Sequence, residues 1–217
     1  MKHPAVIAMK AIQIFNHLPS QTLELISRKC DLCSYRPNGL IFSENAKANR
    51  VGFIVSGFVK LMRGDRKLPL VTEKDSELGH VSDKQMLVDL LGPGDSLGAA
   101  CALLGDLYSS SAIAITPCNV AFLSADAFVS MLHQIDGLSE RVMQSLAKSL
   151  VESEKHAQIM NGDLKTRVMT IRRRCSHLGI DVDQWLSNAE VARMAGATRV
   201  AVSQIMSREK RSQTTRM

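Results

Sequence analysis

At 217 residues the chain is long for one compact domain and short for three, so two modest domains are expected. Its 45% apolar content excludes a disordered chain, and only 4% aromatic content means cores built from Leu, Val, Ile, Ala and Met. The net charge of +6 is uneven, with 16 Lys+Arg against 17 Asp+Glu in residues 1–163 and 11 against 4 in residues 164–217. A neutral body with a C-terminal segment of net +7 fits a polyanion partner or, equally, a solvated basic face. The five cysteines, Cys30, Cys33, Cys101, Cys118 and Cys175, are odd in number and irregularly spaced, which argues against a disulfide framework. There is no signal-peptide pattern after Met1 and no apolar run of about 20 residues, so a cytoplasmic protein is expected.

Residues 5–28 have helical apolar spacing, through Val6, Met9, Ile12, Phe15, Leu23 and Ile26. Pro19 divides this into two short helices, with Ser20 as the expected N-cap of the second. From about Asp31 to Leu123 short apolar runs alternate with turn signals such as Pro37-Asn38-Gly39, Ser56-Gly57 and Gly92-Pro93-Gly94-Asp95. Expected strands are Leu40–Phe42, Val51–Val55, Phe58–Met62, Met86–Leu91, Ala112–Ile115 and Val120–Leu123, the pattern of a β-sandwich or barrel. The polar stretch TEKDSELGHVS reads as an exposed loop.

Residues 124–160 return to helical spacing. Met143, Leu146, Leu150, Ser153, Ala157, Met160 and Leu164 alternate separations of three and four, a heptad seam suited to pairing with a second copy. Leu164–Leu178 is the next helix, closed by Gly179. Ser187-Asn188-Ala189-Glu190 is a capping box that opens another.

The stretch SNAEVARMAGATRVAVSQIMSR, residues 187–208, fits a helix-turn-helix. Ala192 is small where two helices cross, and Gly196 suits a turn that needs positive φ. Val191, Ala195, Val202 and Ile205 make an apolar inner face. The second helix, from about Thr198 to Arg208, then shows Thr198, Arg199, Val200, Ser203, Gln204 and Arg208 to a major groove. Arg199 and Gln204 can make paired hydrogen bonds to base edges, and Val200 can meet a thymine methyl. Thr198 and Arg208 suit phosphates, as do Lys210 and Arg211. A plain helical hairpin satisfies the same small-residue pattern.

The order of helix, β-roll, long helix and helix-turn-helix resembles the cyclic-AMP receptor protein / fumarate–nitrate reduction regulator (CRP/FNR) family. The resemblance is carried by Val51–Leu61, Gly92–Gly98, Ser153-Glu154-Lys155 and Ala197-Thr198-Arg199. It implies an α+β fold: a cyclic-nucleotide-binding-like β-roll (jelly-roll) over residues 1–135, a dimerisation helix over 136–161 and a helix-turn-helix over 162–217. It also implies a homodimer, double-stranded DNA as partner, RNA polymerase as a further one, and no membrane. The dimer seam would be Met143, Leu146, Leu150, Ser153, Ala157 and Met160, and the effector pocket Gly98, Ala99, Ala100, Ser110, Ser111 and Ser153.

Several positions depart from the family pattern. The Glu that holds a ribose falls on Ala99, the Arg that holds the phosphate falls on Ser110, and a Thr on the long helix is Glu152. A buried phosphate would lack its bidentate partner, so cyclic AMP is not the expected effector. Cys30-x-x-Cys33 is a poor chelate, because residues three apart on a strand point to opposite faces. The histidines, among them His3, His80, His133 and His156, are scattered, so neither an iron–sulfur cluster nor haem is expected and no metal site is assigned. Thiol redox chemistry at Cys30 and Cys33 stays open. In the second helix Val200 and Gln204 replace the Glu and Arg of TGTGA readers, so base preference should differ. The chain ends at Met217, with a polar tail RSQTTRM expected to be flexible and no β-hairpin wing after the second helix. No enzyme motif is present. The favoured function is a dimeric DNA-binding regulator; the alternative is a ligand-binding or protein-interaction dimer that no longer reads DNA.

Overall fold

The computed structural model describes residues 9–64 and 86–214; the stretch TEKDSELGHVS, with His80, and the first eight residues, with His3, lie outside the described residues. The chain forms two compact units, residues 1–61 with 91–153 and residues 62–90 with 154–217. The strands are β1 (Asp31–Tyr35), β2 (Leu40–Phe42), β3 (Arg50–Ser56), β4 (Val59–Arg63), β5 (Met86–Leu91), β6 (Ser96–Leu97), β7 (Ser111–Ala114) and β8 (Cys118–Ser124). They make two four-stranded sheets, in the orders β1-β8-β3-β6 and β2-β7-β4-β5. The ladders β1–β8, β2–β7, β3–β6 and β3–β8 are antiparallel, for example Val51 opposite Leu123 and Phe53 opposite Ala121.

The period of two sorts the apolar runs of β3 and β8 onto two cores. Val51, Phe53, Ala121 and Leu123 face a helical layer with Ile12, Phe15, Leu23, Ile26, Phe128 and Met131. Ile54, Val120 and Phe122 face a second core with Val59, Leu97, Ala112 and Ala114 of both sheets. Both faces of the sheet are therefore buried, which explains why these segments read as continuous apolar runs rather than as alternation. Phe53 sits between Phe15 and Phe128, with ring centroids 4.9 and 6.0 Å away. Gly52 faces Phe122, and a Cβ there would lie 2.9 Å from that ring. Burying a side chain such as Phe53 contributes about 1.5–3 kcal/mol.

Helix α1 (Ser20–Arg28) corrects one expectation. Its N-cap is Pro19, with no side-chain cap, and Ser20 is the first helical residue. Proline is pre-set at φ −57° and needs no amide of its own there, so the chain turns helical one residue early. The short helix α2 (Ala99–Leu104) lies between β6 and β7. Helix α3 (Ala125–Gln134) is capped by Ser124, whose Oγ accepts from the Ala127 amide. Gly137 at φ 74° separates it from the long helix α4 (Leu138–Met160).

In the second unit α5 (Leu164–Leu178) opens on Asp163, which accepts from the Thr166 amide, and closes on Gly179 at φ 79°. Its buried stripe is Val168, Ile171 and Cys175. Next come α6 (Val182–Trp185), a turn of helix capped by Asp181, then α7 (Asn188–Met194) and α8 (Arg199–Thr214). Helix α8 is longer than expected, and its last turn takes in Arg211–Thr214, the start of the tail expected to be flexible. No breaker follows Arg208, the next residues are Glu209, Lys210 and Arg211, and Glu209 is tied to Lys165 at 2.7 Å. Among the described residues no helix is long and apolar enough to cross a membrane.

Candidate nucleic-acid interface

The pair α7–α8 is built by local rules. Ser187 accepts from the Glu190 amide at 3.2 Å while Glu190 Oε2 accepts from the Ser187 amide at 3.0 Å. This reciprocal cap satisfies amides that would otherwise be orphaned at the start of α7. The helix stops at Ala195, and Gly196 turns the chain at φ 60°. The Ala197 amide donates to Ala192 O at 2.8 Å, which locks the turn. Thr198 Oγ1 then accepts from the Ala201 amide at 3.3 Å and starts α8.

The inner face is tightly packed: Val191, Ala192, Ala195 and Val202 are at most 2% exposed. Met194 and Met206 are buried as well, although the sequence reading did not single them out; Ile205 is half-buried. Met206 lies one residue past the expected face, and Arg172 Nη1 on α5 reaches its sulfur at 3.6 Å. The opposite face is open. Thr198, Arg199, Gln204 and Arg208 are exposed, Ser203 is half-buried, and Val200 is 68% exposed. An exposed Val beside an exposed Arg can meet a thymine methyl and a base edge respectively.

The basic residues of α5 divide by face. Arg172 and Lys165 flank the buried stripe on one side and pair with Asp183 (3.3 Å) and Glu209 (2.7 Å). Arg174 flanks it on the other side and pairs with Asp89 of β5. Among the described residues, three of the segment's cationic side chains are thus paired with acids of the unit. Arg173, Arg199 and Arg208 are exposed.

The six residues expected around an effector have a different fate. Ser110 and Ser111 are 6% and 2% exposed, and Ser111 Oγ accepts from the Glu44 amide at 2.9 Å. Gly98 is left-handed at φ 71°, and a Cβ there would collide with the Tyr108 ring. Tyr108 is 5% exposed, stacks on Phe42 at 3.8 Å between centroids, and donates its hydroxyl to Arg50 O at 2.7 Å. Burial pushes the Tyr108 phenol up, so it stays a neutral donor. Ala99 is buried, Ala100 is exposed at the first turn of α2, and Ser153 is half-buried on α4. Tyr108 was missed by the sequence reading; its signal was an aromatic two residues before the serines. A groove of about 530 Å3 lies elsewhere, lined by Leu18, Leu25, Ile26, Lys29, Met131 and Ile135 of the α1 and α3 region.

On α4 the seam is partly open: Met143 is 62% and Leu150 61% exposed, with Val151 beside them at 48%. Leu146 packs against the chain's own helical-layer core. The side chains of Ala157 and Met160 lie outside the described residues, as do those of His156, Lys210 and Arg211.

The cysteines are separated. Cys30 packs against the helical-layer core and Cys33 against the core between the sheets. Burial, with Asp31 beside it, pushes the Cys30 thiol up to about 12. Cys118 is buried and donates to Phe58 O at 3.1 Å; burial pushes the Cys175 thiol up to about 11. Among the described residues no group of three His, Cys, Asp or Glu is placed to hold a metal ion.

Residues 32–135 match the cyclic nucleotide-binding domain family. The chain is 20% identical over 199 residues to the cyclic AMP receptor protein of Thermus thermophilus, covering 91% of this chain and 85% of that one. The structure of FixK2 from Bradyrhizobium japonicum superposes with a TM-score of 0.66 at 19% identity, covering 85% of this chain and 86% of that one. The c-di-GMP responsive global regulator CLP of Xanthomonas campestris gives 0.67 at 15% identity, covering 90% and 93%. At these identities the structural likeness speaks for the fold.

Proposed function

We propose that this chain, whose residues 32–135 match the cyclic nucleotide-binding domain family and which resembles the CRP/FNR regulators along most of its length, is a homodimeric DNA-binding transcription regulator whose effector is not cyclic AMP. The observation that carries the reading is α7–turn–α8: a capped helix, a left-handed glycine turn, and a second helix whose outer face offers Arg199, Val200 and Gln204 to solvent. As a helix-turn-helix it would lay α8 in the major groove, with Arg199 and Gln204 on base edges, Val200 against a thymine methyl, and Thr198, Ser203 and Arg208 along the backbone.

The effector reading rests on what surrounds the two serines. A cyclic phosphate needs a cation where Ser110 stands and a ribose hydroxyl needs an acceptor where Ala99 stands. Ser111 already accepts a backbone amide, and the Tyr108 ring occupies the space over Gly98. An unpaired phosphate at such a site would be costly. Titration calorimetry with cyclic AMP should give no saturable heat; micromolar binding would overturn this part.

Dimerisation along α4 is supported by the exposed Met143, Leu150 and Val151. Leu150→Glu should convert a dimer to a monomer in analytical ultracentrifugation, and an unchanged sedimentation coefficient would move the interface elsewhere. The function is tested by selecting bound sequences from random duplex DNA, followed by a salt titration. A palindrome with half-sites about 10 base pairs apart and a steep salt slope is expected. No enrichment at low salt would overturn DNA reading and favour an interaction protein.

A further inference from the structure

The second unit contains a charged contact that the DNA-reading surface does not use. Asp89, on β5, is 7% exposed, and it pairs with Arg174 on α5, whose side chain is 24% exposed. Asp89 Oδ1 also accepts from the Leu90 amide at 2.7 Å, so the acid is held by its own strand. Arg174 stands at the edge of the buried α5 stripe Val168, Ile171 and Cys175, on a helix that packs against α6 and α7, and α7 in turn packs on α8. The neighbouring pairs, Arg172–Asp183 and Lys165–Glu209, link α5 to other helical parts of the unit, whereas Arg174 reaches a strand. That strand is the last in the order β2-β7-β4-β5, the sheet that also carries Ser111.

A nearly dry ion pair is a weak source of net stability, because desolvation offsets most of its Coulomb attraction. It is a strong source of orientation: a guanidinium and a carboxylate accept few geometries, and either one left alone is penalised. We propose that Asp89 and Arg174 are positioning residues for DNA reading, a latch that fixes α5 on β5 and thereby presets the angle at which α8 is offered to DNA. The proposal rests on the reading of α7–α8 as a DNA reader, so its test has one arm that needs no DNA.

That arm is hydrogen exchange of the α5 amides in the full chain. Asp89→Asn and Arg174→Gln should each speed exchange across residues 164–178 several-fold, and the double variant should be no faster than either single one. The other arm is affinity for the selected DNA site. Removing an acid near a DNA-binding surface strengthens binding if charge alone matters. As a latch, Asp89→Asn weakens it about 3- to 10-fold, as does Arg174→Gln, and the salt slope stays unchanged because neither side chain meets a phosphate. Arg174→Lys keeps the charge but loses the fork, so it should fall between wild type and Arg174→Gln; it also serves as the soluble variant if the glutamine fails to fold. Tighter DNA binding by Asp89→Asn, additive exchange effects, or a shallower salt slope in Arg174→Gln would each overturn the latch. Faster exchange in a chain that selects no DNA would uphold the contact and refute only the DNA reading.

Discussion

The β-roll and the helical pair α7–α8 both use small residues where the sequence suggests open space, and they use them in opposite ways. At Gly98 and Ala99 the small side chains make room for the chain itself, with the Tyr108 ring lying where a Cβ would stand and Ala99 buried. At Ala192 and Ala195 they let two helices approach, and the polar side chains of the outer face point away: Arg199, Gln204 and Arg208 all reach solvent. In the roll, Ser111 faces inward and its Oγ accepts from the Glu44 amide. In α7–α8 the polar side chains of the outer face, Arg199, Gln204 and Arg208, face water. A small-residue pattern therefore marks close packing; whether it also marks a binding site depends on which side the polar groups take.

The largest expected effect breaks the roll. Gly98→Val would put a branched side chain into the Tyr108 ring in a left-handed backbone, and should cost about 3 kcal/mol or more, combining overpacking and backbone strain. Urea unfolding measures it; a change under about 1 kcal/mol would mean that Tyr108 swings away and that the space is available to a ligand. On α8, if it reads DNA as proposed, Arg199→Ala and Gln204→Ala should each lose about 1–3 kcal/mol at the best DNA site and relax preference at one base position, with folding stability unchanged. An equal loss on every sequence would reduce both to phosphate contacts. Ser187→Ala removes one half of the α7 cap and should lower stability by about 1 kcal/mol, read by thermal unfolding.

The smallest effect is in pH. The Thr166 amide and hydroxyl, as donors to Asp163, hold its carboxyl below the usual carboxylate range. A group depressed in the folded state contributes fully above its unfolded value and is lost as pH falls through the folded one. The start of α5 should therefore loosen below the ordinary aspartate range, and Asp163→Asn should flatten that acid limb in a circular-dichroism pH titration. An unchanged limb would assign it to other carboxylates. Reversing the sign, the thiols of Cys30 and Cys175 are raised by burial, so both should resist alkylation at pH 8, where an ordinary thiol reacts.

Much of the fold was legible because its signals are local. The Leu164–Leu178 helix with its Gly179 stop, the Ser187–Glu190 box and the positive φ at Gly196 follow from propensity and capping within a few residues. The long helix was legible as a period, although Gly137 divides the stretch before it. Ser20 failed as a cap because Pro19 acts first, and α8 runs past its expected end at Arg208 because nothing there stops a helix.

Sequence alone thus determined the order of parts, the Ser187–Glu190 cap, the Gly179 and Gly196 turns and most of the outward face of α8, since each depends on neighbours within about one helical turn. Only the tertiary structure decided which serines are occupied, that Tyr108 lies over Gly98, that Cys30 and Cys33 serve different cores, and that Arg174 meets Asp89. Those are contacts between residues far apart in the chain. Their geometry is set by how sheets and helices pack, and no periodicity or spacing in the sequence encodes it.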